Sequence, residues 1–202
     1  MCKTNHVSGV TGVILVGGKS RRMGRDKALL EIEGRTLFEI TLAAFREALD
    51  TVILIGDRPE RFAAHGLPVY PDIYPGSALG GLYTGLVRAE TSHVFVSSCD
   101  LPFPCSGIIR QLTALASGND VVVVETGAGY EPLFAIYSQK CREPIRRQIE
   151  SGNYCVYDFY PHVTTRIVTA AEIAHLGDPE RIFLNLNTPE EYRRIAEKEP
   201  TP

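Results

Sequence analysis

The sequence lacks several features that would point to other classes of protein. It has no excess of positive charge, because 21 Lys and Arg face 24 Asp and Glu and leave a net charge of -3. Binding to nucleic acid is therefore not expected. No apolar run approaches the roughly 20 residues that cross a membrane. The first 12 residues also lack the basic-then-apolar order of a signal peptide.

The cysteines of the chain form no recognisable framework. There are five of them, an odd number, and no Cys-x-x-Cys pair occurs. Neither a disulfide framework nor a zinc ribbon is indicated, and a reducing compartment fits this usage. The expectation is a cytoplasmic protein that has neither membrane nor nucleic acid as a partner.

The composition is that of an ordinary globular domain. Of the 202 residues, 44% are hydrophobic and 22% are charged, which are usual values for a folded domain. A chain of this length buries enough apolar surface to fold without disulfides or metals. No repeat, linker or low-complexity segment divides it, so residues 1–202 are predicted to form a single domain.

Short apolar runs bounded by Gly, Pro or Asp alternate with segments of helical periodicity. Strands are predicted at 10–16, 52–55, 69–70, 94–97, 121–124, 132–137, 166–169 and 182–184. Helices are predicted at 36–49, 81–89, 108–116, 141–149 and 189–196. This alternation predicts an α/β fold, a single doubly wound three-layer domain with a mostly parallel sheet.

Glycines and carboxylates follow several of the predicted strands. They are Gly17, Gly18, Asp57, Asp72 and Asp100. Ligands of open α/β sheets bind outside the carboxyl ends of the strands. The pattern therefore predicts a ligand site at that edge without saying which ligand it takes.

The loop after the first strand combines glycine with positive charge. Five of the nine residues from 19 to 27 are basic and one is acidic. Glycines let backbone N–H groups approach an anion, and Arg and Lys neutralise phosphate oxygens. The Walker pattern and the dinucleotide fingerprint are both absent. The loop is predicted to cradle a polyphosphate, and a solvated basic turn is the alternative.

Two aspartates at strand ends are candidate ligand-binding groups. Asp100 follows the strand at 94–97, and such a carboxylate can hold Mg²⁺ against a triphosphate. Asp72 follows the strand at 69–70. Each also fits a simple turn. Asp57 is better explained as a helix cap.

Two further segments contain residues that a turn or a helix start does not by itself explain. Three glycines lie in residues 75–82 before a helix, whose N-terminus could bind an anion. A flexible turn is the alternative. Asn185 and Asn187 flank Leu186, so both amides point to one face of an extended segment. The following Thr188 forms a capping box that starts the last helix.

Taken together, these motifs resemble a known family. Residues 15–29 read Leu-x-Gly-Gly-x-Ser-x-Arg-Met-Gly-x-Asp-Lys-x-Leu, which resembles the signature of nucleotidyltransferases of the molybdenum cofactor guanylyltransferase type. Cys-Asp-x-Pro at 99–102 and Asn-x-Asn-Thr-Pro at 185–189 are similar to later motifs of that family. The resemblance implies a Rossmann-like nucleotidyltransferase.

The resemblance also implies roles for individual residues. The implied nucleotide-binding residues are Leu15, Gly17, Gly18, Lys27, Asp72 and Asp100. The implied acceptor-binding residues are Arg22, Gly24, Gly76, Gly81, Asn185 and Asn187. The implied catalytic residues are Asp100, Lys27 and Arg22, and Asp100 is the implied metal ligand.

The activity that the resemblance implies is transfer of GMP from GTP to molybdopterin, with Mg²⁺ as cofactor and pyrophosphate as leaving group. Molybdenum-insertion and molybdoenzyme proteins are further implied partners. The alternatives are a cytidylyl or sugar-phosphate nucleotidyltransferase of the same fold and a non-catalytic carrier of the cofactor. One departure concerns the acceptor side, because Asn153 and Tyr154 stand where the family often has Arg after Gly152.

Overall fold

The computed structural model describes residues 7–17, 27–186 and 188–196. The strands are β1 (Val7–Leu15), β2 (Glu31–Ile32), β3 (Arg35–Thr36), β4 (Leu49–Ile55), β5 (Val69–Tyr70), β6 (His93–Ser98), β7 (Val121–Thr126), β8 (Gly129–Tyr130), β9 (Phe134–Ser138) and β10 (Thr165–Thr169). The helices are α1 (Leu37–Ala48), α2 (Ala78–Arg88), α3 (Ser106–Ala114), α4 (Arg142–Glu150), α5 (Ala170–Ile173), α6 (Pro179–Ile182) and α7 (Pro189–Ala196).

A mixed, mostly parallel sheet forms the centre of the fold. Its strand order is β10-β7-β9-β6-β1-β4-β5, and β8 pairs with β7. β9 runs antiparallel to both β6 and β7. The connection from β7 to β9 is too short for the crossover that a parallel strand requires, so the chain reverses direction there.

Helices cover both faces of this sheet. On one face, Phe45 of α1 and Ile109 of α3 belong to the same buried cluster as Phe95 of β6. On the other face, Leu82 of α2 and Ile145 of α4 pack in a second cluster. The expected three-layer α/β architecture is therefore confirmed.

The helix boundaries follow from recognisable caps. α1 begins after Thr36, whose hydroxyl accepts from the N–H of Glu39 while the Glu39 side chain accepts from the Thr36 N–H. Ser77 caps α2 in a similar way by accepting from the N–H of Gly80. Such caps satisfy backbone donors that the first helical turn leaves unpaired.

The predicted strand at 182–184 is wrong. Asp178 accepts from the N–H of Glu180, and Pro179 occupies the first turn, so α6 forms over Pro179–Ile182. The apolar residues of segment 182–184 therefore reach the core from the end of α6 and the turn after it, rather than from a strand. For example, the Phe183 ring packs 5.8 Å from Phe134. The short β2–β3 hairpin, β8 and α5 were not predicted from the sequence.

Among the described residues, no helix is both long enough and apolar enough to span a membrane.

Candidate active site

The ends of four parallel strands meet at one edge of the sheet. Leu15 at the end of β1 pairs with Ile55 of β4 on one side and with Ser98 of β6 on the other. Ile55 in turn pairs with Tyr70 of β5. The candidate residues that follow these strands therefore share one edge, as the sequence predicted.

Asp72 lies close to two glycines beside this edge, Gly17 after β1 and Gly81 of α2. A Cβ placed on Gly17 would lie 3.8 Å from Asp72 Oδ2, and one on Gly81 would lie 3.5 Å from Oδ1. The Gly81 position would also meet the Leu15 side chain at 3.0 Å. Three of the implied nucleotide-binding residues, Leu15, Gly17 and Asp72, are thus brought together.

The electrostatics of Asp72 are unusual. Its Oδ1 atom is buried and has no hydrogen-bond partner among the described residues. Burial, with a smaller contribution from the charge of Asp57, raises the pKa of Asp72 to about 6. A buried carboxylate oxygen without a donor is costly, so this atom is suited to a donor that a ligand would bring.

The backbones of β1 and β4 approach each other closely just beyond their ends. A Cβ on Gly56 would lie 2.9 Å from the Gly17 nitrogen, which is closer than Cβ atoms approach other atoms in proteins. Gly56 is also held by its N–H, which donates to the Tyr70 carbonyl at 2.9 Å. Gly56 was missed as a site residue, because from the sequence it only stopped a strand.

Gly80 and Gly81 lie in the first turn of α2, and Gly76 lies just before it. The N–H of Gly80 donates to Ser77 Oγ at 3.0 Å, and the N–H of Gly81 donates to the Ser77 carbonyl at 3.3 Å. These donors are therefore not bare. A Cβ on Gly80 would lie 1.8 Å from the Tyr74 carbonyl oxygen, so Gly80 is required for packing. Gly76 has a φ of 103°, which favours glycine. An acceptor-binding role for Gly76 and Gly81 stays a prediction.

Asp100 is held at the end of β6 by two contacts. Ser98 Oγ donates a short hydrogen bond to Asp100 Oδ1, and the backbone N–H of Leu186 donates to the Asp100 carbonyl at 3.0 Å. This contact brings the segment of the half-buried Asn185 to the end of β6, and the Asn185 Nδ2 donates to the Phe183 carbonyl at 3.3 Å. Asn187, its predicted companion, lies outside the described residues.

A second carboxylate, which was missed in the sequence, lies near Asp100. Glu131 is half-buried, and its Oε1 accepts from Thr126 Oγ1 at 3.2 Å. Burial, with a smaller contribution from the charge of Asp100, raises the pKa of Glu131 to about 7. From the sequence Glu131 only preceded a predicted strand. The sequence carried no signal for this placement, because it follows from β9 running antiparallel to β6 and β7.

The basic loop is described only at its two ends. Gly18, Arg22 and Gly24 lie outside the described residues. Lys27 begins a short 3-10 turn over Lys27–Leu29. The Lys27 carbonyl accepts from the N–H of Leu30 at 3.1 Å. Leu30 packs in the same apolar cluster as Leu186. The turn of Lys27 is therefore anchored to the segment that contacts Asp100.

The donors around Asp100 suit a hard cation. Within the described ranges, no group of three or more His, Cys, Asp or Glu side chains is arranged to hold a metal ion alone. Mg²⁺ usually takes one or two carboxylates and completes its shell with phosphate oxygens and water. The carboxylate of Asp100, with that of Glu131 close enough for its pKa to respond to the Asp100 charge, fits such a shared site.

Comparison with known proteins identifies the family. The model of the MobA-like NTP transferase domain matches residues 12–164. The chain belongs to this family. It is therefore a nucleotidyltransferase, and enzymes of this type generally use a divalent metal ion.

Individual relatives agree with this assignment. A protein of Pelotomaculum thermopropionicum named "Probable molybdenum cofactor guanylyltransferase" is 37% identical over 89% of this chain and 88% of its own length. A molybdenum cofactor guanylyltransferase of Desulfosudis oleivorans is 31% identical over 92% of this chain and 93% of its own.

A solved structure also shares the fold. Molybdopterin-guanine dinucleotide biosynthesis protein A of Archaeoglobus fulgidus superposes with a TM-score of 0.81 at 21% identity, covering 93% of this chain and 97% of that one.

Proposed function

We propose that this enzyme transfers GMP from GTP to molybdopterin and releases pyrophosphate, which forms the guanine dinucleotide form of the cofactor. Two relatives that are 37% and 31% identical over most of their length carry the name of this activity.

The observation that carries the proposal is the buried, unpartnered Oδ1 of Asp72 between Gly17 and Gly81. An N–H or O–H donor of a bound guanosine would satisfy this oxygen. The nucleoside then lies over the ends of β1, β4 and β5, with Leu15 against it. Its triphosphate extends from there towards Lys27.

The reaction needs positioning and charge rather than a protein nucleophile. The terminal phosphate of the acceptor attacks the α-phosphorus of GTP, and the bond from that phosphorus to the bridging oxygen breaks. Lys27 and Arg22 offset the charge that develops on the leaving pyrophosphate. Fixed charges of this kind supply most of the rate enhancement in such sites.

We assign the metal of this reaction as Mg²⁺ held by Asp100. Bound there, Mg²⁺ would neutralise part of the triphosphate charge. Ser98 keeps the Asp100 carboxylate in place through its hydrogen bond. The hydrogen bond from the Leu186 N–H to the Asp100 carbonyl joins the segment that carries Asn185 to the end of β6.

The acceptor side is assigned to Arg22, Gly24, Gly76, Gly81, Asn185 and Asn187. We also propose that residues 1–202 act as one domain in the cytoplasm, and that the product passes to molybdenum-insertion or molybdoenzyme proteins.

The test is turnover of each of the four nucleoside triphosphates with purified molybdopterin and Mg²⁺, followed by pyrophosphate release. GTP is expected to support turnover well above the other three. Preference for CTP would replace the guanylyl assignment by the cytidylyl alternative. Retention of the finished cofactor in native mass spectrometry, without turnover of any nucleotide, would indicate a carrier instead.

A further inference from the structure

A cluster of four tyrosines stands beside the candidate active site. This tyrosine cluster consists of Tyr130, Tyr137, Tyr157 and Tyr160. The Tyr130 ring lies 5.8 Å from the rings of both Tyr157 and Tyr160, and the hydroxyls of Tyr137 and Tyr160 are 2.9 Å apart. Tyr137 and Tyr160 are buried, whereas Tyr157 is 45% exposed.

The exposed ring of Tyr157 is fixed by its surroundings. It packs edge-on against Tyr130 and lies 6.5 Å from Tyr160. Its loop is held by Asn153, whose Nδ2 donates to Asp158 Oδ2 at 2.8 Å and whose Oδ1 accepts from the Cys155 N–H at 3.0 Å. An aromatic surface that is already ordered binds a flat ligand with little further loss of conformational entropy.

The tyrosine cluster adjoins the site on the side away from the nucleotide. Tyr130 directly precedes Glu131, the carboxylate that feels the charge of Asp100. In the sheet, β9 and β7 lie on one side of β6, whereas β1, β4 and β5 lie on the other. Since the proposed nucleoside site occupies the β1–β4–β5 side, the β9–β7 side is left for the acceptor.

The faces of the sheet agree with this placement. Tyr130 and Tyr160 pack in the same cluster as Leu79 and Leu82 of α2. The tyrosine cluster and the start of α2 therefore stand on the same face. A ligand that lies along the edge of the sheet, from the start of α2 to the tyrosine cluster, would have Gly81 and Asp72 at one end and Tyr157 at the other.

We propose that Tyr157, backed by Tyr130, stacks against the flat pyrimidinone ring of the pterin acceptor. This inference rests on the proposed function and names how its second substrate is recognised. Stacking on an aromatic face suits a neutral heterocycle.

The test measures binding of the two substrates separately in Tyr157→Ala. Calorimetry under anaerobic conditions with molybdopterin alone, and then with GTP alone, gives the two Kd values. By analogy with the stacking of nucleic-acid bases on aromatic side chains, the Kd for molybdopterin is expected to rise about tenfold. The Kd for GTP should stay within about twofold, because Tyr157 does not lie on the nucleoside side.

Three further variants separate stacking from a structural effect. Tyr157→Phe keeps the ring and should bind molybdopterin as the wild type does. Tyr157→Leu keeps apolar packing against Tyr130 but removes the ring, so it should lose affinity as the alanine variant does. His162→Ala is the control, because His162 is exposed further along the same segment and should leave both Kd values unchanged.

Steady-state kinetics give an independent reading. Tyr157→Ala should raise the KM for molybdopterin with kcat nearly unchanged, as expected for loss of ground-state binding. Unchanged molybdopterin affinity in Tyr157→Ala, together with normal wild-type turnover, would overturn the stacking proposal alone. Weakened GTP binding in its place would also overturn it. A wild type that neither binds nor uses molybdopterin would overturn the proposed function as well.

Discussion

The backbone N–H of Leu186 donates a hydrogen bond of 3.0 Å to the carbonyl oxygen of Asp100. This contact joins the segment before the last helix to the end of β6, which lies in the middle of the sheet. Leu186 is fully buried against Leu30 and Leu37, so the position of its backbone is fixed by packing. The candidate metal ligand therefore depends on a part of the chain far from it in sequence.

Replacing Asp100 by alanine should lower kcat by about 100- to 1,000-fold, the usual cost of one preorganised electrostatic contact. Pyrophosphate release with GTP and molybdopterin measures the loss. Binding of Mn²⁺, followed by electron paramagnetic resonance in the presence of GTP, should weaken in parallel. Glu90→Gln is the control, since this exposed carboxylate follows α2 at the opposite end of the sheet. Near-normal kcat in Asp100→Ala would remove this residue from the mechanism.

Asp72→Asn should weaken GTP binding and stabilise the free enzyme at pH 7–8. The pKa of Asp72 in the folded protein is about 6, against an ordinary value of 3.8, so the folded protein binds more protons than the unfolded chain between these values. Wild-type stability therefore falls as the pH rises from about 4 to 6, and the loss persists above. The variant lacks this penalty, so its Tm should exceed that of the wild type at pH 8 and match it near pH 4.

Asp57→Asn provides the matched control for Asp72. GTP affinity should fall on acidification, because protonation of Asp72 removes the carboxylate that accepts from the nucleoside. Removing the Asp57 charge lowers the pKa of Asp72, so this fall in affinity should occur at a lower pH in Asp57→Asn. In Asp72→Asn the same titration should be absent. Equal pH profiles of GTP affinity in the wild type and Asp72→Asn would contradict a role for this carboxylate in binding.

Gly80→Ala should destabilise the protein by about 2–3 kcal/mol, although alanine usually stabilises a helix relative to glycine. Its Cβ would lie 1.8 Å from the Tyr74 carbonyl oxygen, a backbone atom that cannot yield without moving the loop. Urea unfolding measures the change. Gly127→Ala is the control, because a Cβ there meets nothing within 4 Å, and it should change stability by less than about 0.5 kcal/mol.

Asp120→Ala should cost about 2–3 kcal/mol of stability, since it leaves buried donors unpaired. Asp120 accepts from Thr164 N at 3.1 Å and from Ser138 Oγ at 2.9 Å. Although burial raises the pKa of Asp120, these hydrogen bonds hold it below its ordinary value. The stabilisation should therefore disappear as the pH falls through that pKa. Lys140→Ala, which removes only the exposed lysine that pairs with Asp120, should cost less than about 1 kcal/mol.

Much of the site could be predicted because its residues follow strands in sequence. Asp72 and Asp100 each stand just after an apolar run, and parallel strands bring such positions to one edge. The glycines were also visible as a pattern. The reasons why glycine is needed could not be predicted. At Gly80, for example, a Cβ would lie 1.8 Å from the Tyr74 carbonyl oxygen, and this depends on how the loop at Tyr74 folds back on α2.

Other parts could not be predicted because they depend on contacts between distant segments. Glu131 became a candidate only when β9 was seen to reverse direction and place it near Asp100. Phe183 lies beyond a helix rather than in a strand, because the cap at Asp178 outweighs a short apolar run. The role of Tyr157 arises from its packing on Tyr130, which no local pattern indicates.

The most direct test of the account is a crystal structure of the enzyme with a non-hydrolysable GTP analogue and Mg²⁺. The account predicts that a guanosine donor lies within hydrogen-bond distance of Asp72 Oδ1, and that the triphosphate passes between Lys27 and Asp100. A guanine base stacked on Tyr157, or a nucleotide bound away from the ends of β1, β4 and β6, would contradict it.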